Sequence, residues 1–123
     1  MERFEDLEVW KRSIKLASKV YFSLRTCRDF DLKSQLTRAA VSISSNIAEG
    51  YERNSNKQFA QYLQIAKGSC GELRSQLYIC EEIGIVSTEK RNNLQQEAIE
   101  ISKMLQGLIR HCQRNTASQT SRL

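Results

Sequence analysis

Apolar residues recur along most of the chain in steps of three and four, the spacing that places side chains on one face of an α-helix. Four such stretches are separated by polar or glycine-containing breaks, and they predict helices at about residues 5–27, 32–49, 56–83 and 88–113. The expected core stripes are, in chain order, Leu7, Trp10, Ile14, Ala17, Tyr21 and Leu24; Leu36, Ala39, Ala40, Ile43 and Ile47; Phe59, Leu63, Ala66, Cys70, Leu73, Leu77 and Cys80; and Leu94, Ala98, Ile101, Leu105, Leu108 and Cys112.

Polar residues at the breaks indicate where the helices begin and end. Asp31 and Ser87 are predicted as the N-caps of the second and fourth helices, and Ser55 begins a capping-box pattern before the third. Gly50 is predicted as the C-terminal cap of the second helix. Because short connections make each helix antiparallel to the one before it, the pattern predicts an all-α, up-down-up-down four-helix bundle.

Length and composition favour a single domain, since 123 residues with 40% hydrophobic content suffice for one core. We assign residues 1–114 to the bundle and residues 115–123 to a flexible polar tail without an apolar pattern. No stretch resembles a membrane span or a signal peptide, so we expect a cytoplasmic protein without a membrane partner. The four cysteines lie singly, without C-x-x-C spacing, and we interpret them as reduced structural thiols.

The residue patterns that carry catalysis or metal binding are missing. His111 is the single histidine, and its neighbour Cys112 points to a different face of the same helix. There is no nucleophile motif, no phosphate-binding loop and no Glu-x-x-His pair of the kind that holds metals in bundles. We therefore predict no enzyme activity, no catalytic residues, no metal or other cofactor, and no small-molecule substrate.

Basic residues exceed acidic ones by 19 to 14, which gives a net charge of +5, and residues 9–28 contain no acid. Either a solvated helix face or a phosphate-binding face explains this excess, and both alternatives stay open. The candidate nucleic-acid-binding residues are Lys11, Arg12, Lys15, Lys19, Arg38, Arg53 and Lys57. Because no zinc finger, helix-turn-helix or RNA-reading sheet pattern accompanies them, contacts would be to backbone and shape.

Charge is sparse on the second and third helices: residues 39–48 carry none, and residues 58–71 carry only Lys67. Two glycines also lie on the side of the third helix away from its core stripe, and each costs about 1 kcal/mol relative to alanine. Contact with another subunit would explain both features, whereas a solvated polar face is the alternative. The candidate interface residues are Ser42, Asn46, Glu49, Gly68 and Gly71.

Three segments resemble a known family: FEDLEVWKRS at residues 4–13, RAAVSISSNIAEGYERNS at residues 38–55 and QIAKGSCGELRSQL at residues 64–77. This is the bacterial four-helix-bundle family encoded in intervening sequences of 23S rRNA genes, and the resemblance extends over about residues 4–112. It implies a homopentamer without enzymatic activity. It also implies a relation to the accessory variability protein of diversity-generating retroelements, a basic pentamer that works with a reverse transcriptase and RNA.

Two classes of function follow from these observations. In the first, the chain is a non-enzymatic homo-oligomer, with five copies favoured by the resemblance, whose basic surface binds RNA or DNA backbone or a ribonucleoprotein partner. In the second, the bundle is purely structural or binds other proteins, and its basic charge is incidental.

Overall fold

The computed structural model describes residues 3–121 and, within them, the side chains of residues 3–116. A short 3-10 helix, Phe4–Asp6, precedes four α-helices: α1 Glu8–Ser23, α2 Phe30–Glu52, α3 Asn56–Glu82 and α4 Thr88–Ser121. No strand occurs in this part of the chain. Each helix packs against its neighbours in sequence, and α1 closes the bundle against α4. The prediction of an all-α four-helix bundle is confirmed.

Two of the three predicted N-caps are confirmed. The side chains of Ser55 and Ser87 accept hydrogen bonds from backbone N–H groups three residues further on, at 3.3 and 3.0 Å. The N-cap of α2 is Asp29, whose carboxylate accepts from the N–H of Leu32 at 3.1 Å. The prediction of Asp31 was therefore wrong: Asp31 lies inside the first turn, where its negative charge still suits the helix dipole.

Gly50 lies inside α2, so its prediction as a C-terminal cap was wrong. The helix continues to Glu52, and the left-handed conformation that follows belongs to Asn54, with φ of 56°. A Cβ atom built on Gly50 would lie 2.6 Å from the Cβ of Tyr62 on α3. The missing side chain therefore permits close approach of α2 and α3 at this point.

The core stripes of α2, α3 and α4 are confirmed. Their members are buried, except for Phe59 and Leu108, which are partly buried against the core. Ile109, which the predicted stripe omitted, is also fully buried. Most of the contact between helices lies along α3, which packs against both α2 and α4. The longest apolar stripe therefore belongs to the helix at the centre of the packing.

The core stripe predicted for α1 is confirmed at Leu7 and Leu24 but was wrong in register between them. The residues buried there are Leu7, Val9, Ser13, Leu16, Val20 and Leu24. Trp10 is partly buried and packs edge-on against Phe4, with ring centroids 5.3 Å apart, whereas Ile14 and Tyr21 are 42% and 51% exposed. The apolar pattern did not reveal this buried stripe because Ser13, in its middle, is polar. The hydroxyl of Ser13 donates to the carbonyl of Trp10 at 2.7 Å.

The first and last helices differ most from their predicted lengths, and α2 is also longer, at Phe30–Glu52 against a predicted 32–49. α1 ends at Ser23 rather than at residue 27, and α4 continues to Ser121 rather than ending at residue 113. Because no glycine or proline interrupts this polar segment, the backbone hydrogen bonds of a helix already formed continue through it. Residues 122–123 of the predicted tail lie outside the described residues. No helix within residues 3–121 is long and apolar enough to cross a membrane.

Candidate nucleic-acid interface and assembly surface

Three lysines form a charged row on the outer face of α1. Lys11, Lys15 and Lys19 are all exposed, and none of them forms an ion pair with any described residue. An exposed ammonium group without a carboxylate partner keeps its charge available for a phosphate. We call these three residues the basic stripe.

Arg12 belongs to the same helix but has a different environment. Its Nη2 atom lies 2.8 Å from Oε2 of Glu100 and 3.2 Å from Oε2 of Glu97, both on α4. The hydrogen bonds to Glu100 and Glu97 raise the pKa of the guanidinium. Arg12 therefore joins α1 to α4, and its charge is already matched within the subunit.

The remaining basic candidates lie outside α1. Nη2 of Arg53 is 2.9 Å from Oε1 of Glu49, and its guanidinium lies 5.2 Å from the ring centroid of Tyr62. The hydrogen bond to Glu49 raises the pKa of Arg53. Arg38 and Lys57 are exposed and form no ion pair in the described part of the chain. The structure thus brings Arg53 and Glu49 together and leaves Arg38 and Lys57 unmatched.

A groove of about 650 Å³ runs between α1 and α4 and includes Lys19 of the basic stripe. Lys19 and Phe22 line it from α1, while Lys90 and Asn93 line it from α4. Phe22 is 62% exposed, although it is a large apolar side chain. Two lysines and one exposed aromatic ring therefore line the same groove. Sequence reasoning missed this combination.

Three of the predicted interface residues, Ser42, Asn46 and Glu49, make contacts inside the subunit. The hydroxyl oxygens of Ser42 on α2 and Ser69 on α3 are 2.9 Å apart. Asn46 donates from Nδ2 to the hydroxyl and carbonyl oxygens of Ser42, at 2.9 and 2.8 Å. The Ser42–Ser69 hydrogen bond holds α2 against α3, whereas the Asn46 bonds lie within α2. The ion pair of Glu49 with Arg53 stabilises the end of α2.

Gly68 and Gly71 lie on an open face of α3. A Cβ atom built on either glycine would meet nothing within 4 Å. Ile65 and Ile79 on the same helix are exposed. Sequence reasoning missed these two apolar residues, although their spacing places them away from the core stripe. Because Ser42 of α2 forms a hydrogen bond to this stretch of α3, we call the two glycines and the two isoleucines the α2–α3 apolar surface.

The buried thiols do not provide reactive groups. Burial raises the pKa of Cys70 to about 12 and that of Cys80 to about 11, and it also raises the pKa of Cys112. At neutral pH these thiols are protonated, which makes them weak nucleophiles and weak metal ligands. No group of three or more His, Cys, Asp or Glu side chains suited to a metal ion occurs among the described residues.

Comparison with known proteins places the bundle among related folds. Residues 5–107 match the protein family described as 23S rRNA-intervening sequence protein. A similar crystal structure is that of a protein of unknown function from the S23 ribosomal protein family of Bacteroides thetaiotaomicron, with 25% sequence identity and a TM-score of 0.77. The similarity covers 82% of this chain and 97% of that one. No curated protein matches the chain.

Proposed function

The chain belongs to the family of 23S rRNA-intervening sequence proteins, and from this premise we propose that it is a non-enzymatic homo-oligomer that binds the backbone of RNA or DNA. The basic stripe carries this proposal, because Lys11, Lys15 and Lys19 are exposed, unmatched and on one helix face. Arg12 and Arg53 are left out of the binding surface because carboxylates already hold them. Binding of this kind takes place in the cytoplasm, where the free cysteines stay reduced.

Assembly supports the proposal by repeating the basic stripe on one particle. A single subunit with a net charge of +5 binds a polyanion weakly, whereas several copies that engage one strand at the same time bind it far more tightly. The favoured number of five comes from the resemblance to pentameric relatives. That resemblance includes the accessory variability protein of diversity-generating retroelements, which works with RNA.

The α2–α3 apolar surface is the proposed contact between subunits. Exposed large apolar side chains next to glycines with open space permit a neighbouring helix to approach closely. Ser42 and Asn46 lie beside this surface, and their hydrogen bonds fix its shape rather than cross the contact.

The variant Gly68→Leu tests the subunit contact. A leucine at this position fits the isolated subunit, because nothing lies within 4 Å of the added Cβ, but it overpacks a contact with a neighbour. We expect the mass of the parent, measured by light scattering during size exclusion, to be that of an oligomer and the mass of the variant to fall toward one subunit. Gly107→Leu is the matched control, since the glycine on α4 is equally open and lies off the proposed contact. A monomeric parent, or an unchanged mass for Gly68→Leu, would overturn the proposed assembly.

Removal of the basic stripe tests nucleic-acid binding. In a variant carrying Lys11→Gln, Lys15→Gln and Lys19→Gln, we expect the affinity for labelled RNA at low salt to fall by about tenfold or more, because the neutral side chains no longer attract phosphates. Fluorescence anisotropy measures the affinity, after the oligomer mass of the variant has been checked. The control replaces Lys103, Arg110 and Arg114 by glutamine, which removes the same charge from the exposed side of α4.

The outcome of this comparison shows which residues of the subunit bind nucleic acid. An equal loss of affinity in both triple variants indicates that only total charge matters, and an unchanged affinity in the basic-stripe variant moves the site to Arg38 and Lys57. If the parent binds neither RNA nor DNA at low salt, the structural or protein-binding alternative replaces the proposal, with the α2–α3 apolar surface as its contact.

A further inference from the structure

We propose that the groove between α1 and α4 binds single-stranded nucleic acid, with a base stacked on Phe22 and phosphates held by Lys19 and Lys90. This inference rests on the proposed function and adds to it the class of strand and a defined site. RNA and DNA single strands share the required chemistry, which is a flexible polyanion with accessible base faces.

The positions of the two cations favour a strand that enters the groove. Lys19 lies on α1 and Lys90 on α4, so the positive charges stand on opposite walls of a depression of about 650 Å³. Neither lysine forms an ion pair within residues 3–116. A phosphate chain that passes between the walls meets both charges, and each such contact releases a counterion.

Phe22 provides an aromatic ring on which a base can stack, and a purely electrostatic site has no such ring. Its ring is one of the most exposed large apolar groups of the subunit, and it lines the groove beside Lys19. The guanidinium of Arg25 lies over the ring at 3.8 Å from its centroid, and its Nη1 donates to the carbonyl of Phe22 at 2.7 Å. This contact covers one face of the ring with a further cation, and the residue is still 62% exposed, so the base stacks on the other face of the ring.

Stacking on a protein ring distinguishes single strands from duplexes. In a duplex the base faces are already stacked on one another, so only a single strand presents a free face to Phe22. Packed helices lie about 8–10 Å apart, and a double helix is wider than this spacing, so it reaches only the rim of the groove between them.

The polar residues of the groove are compatible with a polyanion. Glu97 is the acid that lines it, and this carboxylate shares Nη2 of Arg12 with Glu100, at 3.2 and 2.8 Å, so its charge is partly offset within the subunit. The two lysines of the groove outnumber this single acid. Asn93 and Gln96 add exposed amide groups, which donate to and accept from base edges without requiring one base.

The variant Phe22→Ala tests the stacking contact in the full-length oligomer. We expect its affinity for labelled oligo-U and oligo-dT to fall by about 5- to 150-fold, the range for loss of one stacked base, while its affinity for a duplex of the same charge stays unchanged. Phe22→Tyr retains the ring and is expected to bind as the parent does. Phe30→Ala is the matched control, because Phe30 is also a highly exposed phenylalanine, at 73% against 62% for Phe22, and does not line the groove.

The variant Lys90→Gln tests the phosphate contact on the α4 side of the groove, independently of the basic stripe on α1. We expect the slope of log K against log salt for oligo-dT to become shallower by about 0.7, the contribution of one phosphate contact on a single strand. Lys103→Gln, elsewhere on α4, is expected to leave the slope unchanged.

The two proposals fail in different ways. If Phe22→Ala and Lys90→Gln both bind oligo-dT as the parent does, while loss of the basic stripe weakens binding, the groove site is wrong and the proposed function stands. Equal loss of single-strand and duplex affinity in Phe22→Ala also overturns the groove site. A parent that binds no nucleic acid removes both proposals.

Discussion

Replacement of Leu16 by alanine is expected to lower the free energy of unfolding by about 2–5 kcal/mol. Leu16 is completely buried in the middle of α1, where it belongs to the core shared with the other helices. The truncation removes buried methyl groups and leaves a cavity that rigid helices fill only in part. Since the whole stability of a domain is about 5–15 kcal/mol, the shift in the denaturant midpoint, followed by circular dichroism, is large.

Tyr21→Ala is the matched control for this experiment. The apolar pattern of the sequence placed Tyr21 in the core, whereas the structure places it on the surface of α1. We expect a change of less than about 1 kcal/mol, as for other exposed positions. All proteins are compared at one concentration, because assembly also contributes to apparent stability. A larger loss of stability for Tyr21→Ala than for Leu16→Ala would show that the register of α1 is wrong.

The substitution Gly50→Ala is expected to destabilise the bundle by about 1–3 kcal/mol, although alanine normally stabilises a helix relative to glycine. The added Cβ would lie 2.6 Å from the Cβ of Tyr62 and 3.1 Å from Cδ1 of Phe59. The Cβ of Tyr62 is fixed to the backbone of α3, so the contact is relieved only if the two helices move apart. Thermal or denaturant unfolding measures the change in stability.

Gly107→Ala shows what the same change does without a neighbour. No atom lies within 4 Å of a Cβ built on Gly107, so helix propensity alone acts there and stability is expected to rise by up to about 1 kcal/mol. Opposite signs for the two variants are the expected pattern. A stabilising Gly50→Ala would contradict the close approach of α2 and α3.

The core faces of three helices were predictable because most of the apolar residues of each helix form one long stripe. In α2, Leu36, Ile43 and Ile47 leave no second apolar face of similar size, so periodicity alone identifies the buried side. In α1 the apolar residues form two adjacent stripes, and the one with the larger aromatic residues is only partly buried. Periodicity does not show which of the two stripes of α1 is buried, since burial depends on how α1 packs against α2 and α4.

The role of Gly50 could not be predicted from its neighbours in sequence. A glycine after an apolar stripe is typical of a helix end, and Gly84, with φ of 82°, has that conformation after α3. Gly50 is instead required by the packing of Tyr62, which lies on another helix. The local pattern was the same in both cases, and only the tertiary contact distinguishes them.

The candidate site was predictable to a similar degree. The spacing of Lys11, Lys15 and Lys19 alone places them on one face, and their exposure agrees with it. The pairing of Arg12 was not predictable, because its partners lie 85 and 88 residues away along the chain. The groove at Phe22 was missed for the same reason, since its second wall belongs to α4. An aromatic residue on the polar side of α1 was the available signal.

The salt dependence of binding tests the role of the basic stripe most directly. The binding constant for a single-stranded oligonucleotide is measured over a series of salt concentrations, for the parent and for the variant carrying Lys11→Gln, Lys15→Gln and Lys19→Gln, at equal oligomer mass. We expect a steep negative slope of log K against log salt for the parent, and in the variant a slope shallower by about 0.7 for each phosphate that it no longer neutralises. Identical slopes for the two proteins would contradict the proposal that the basic stripe binds nucleic acid.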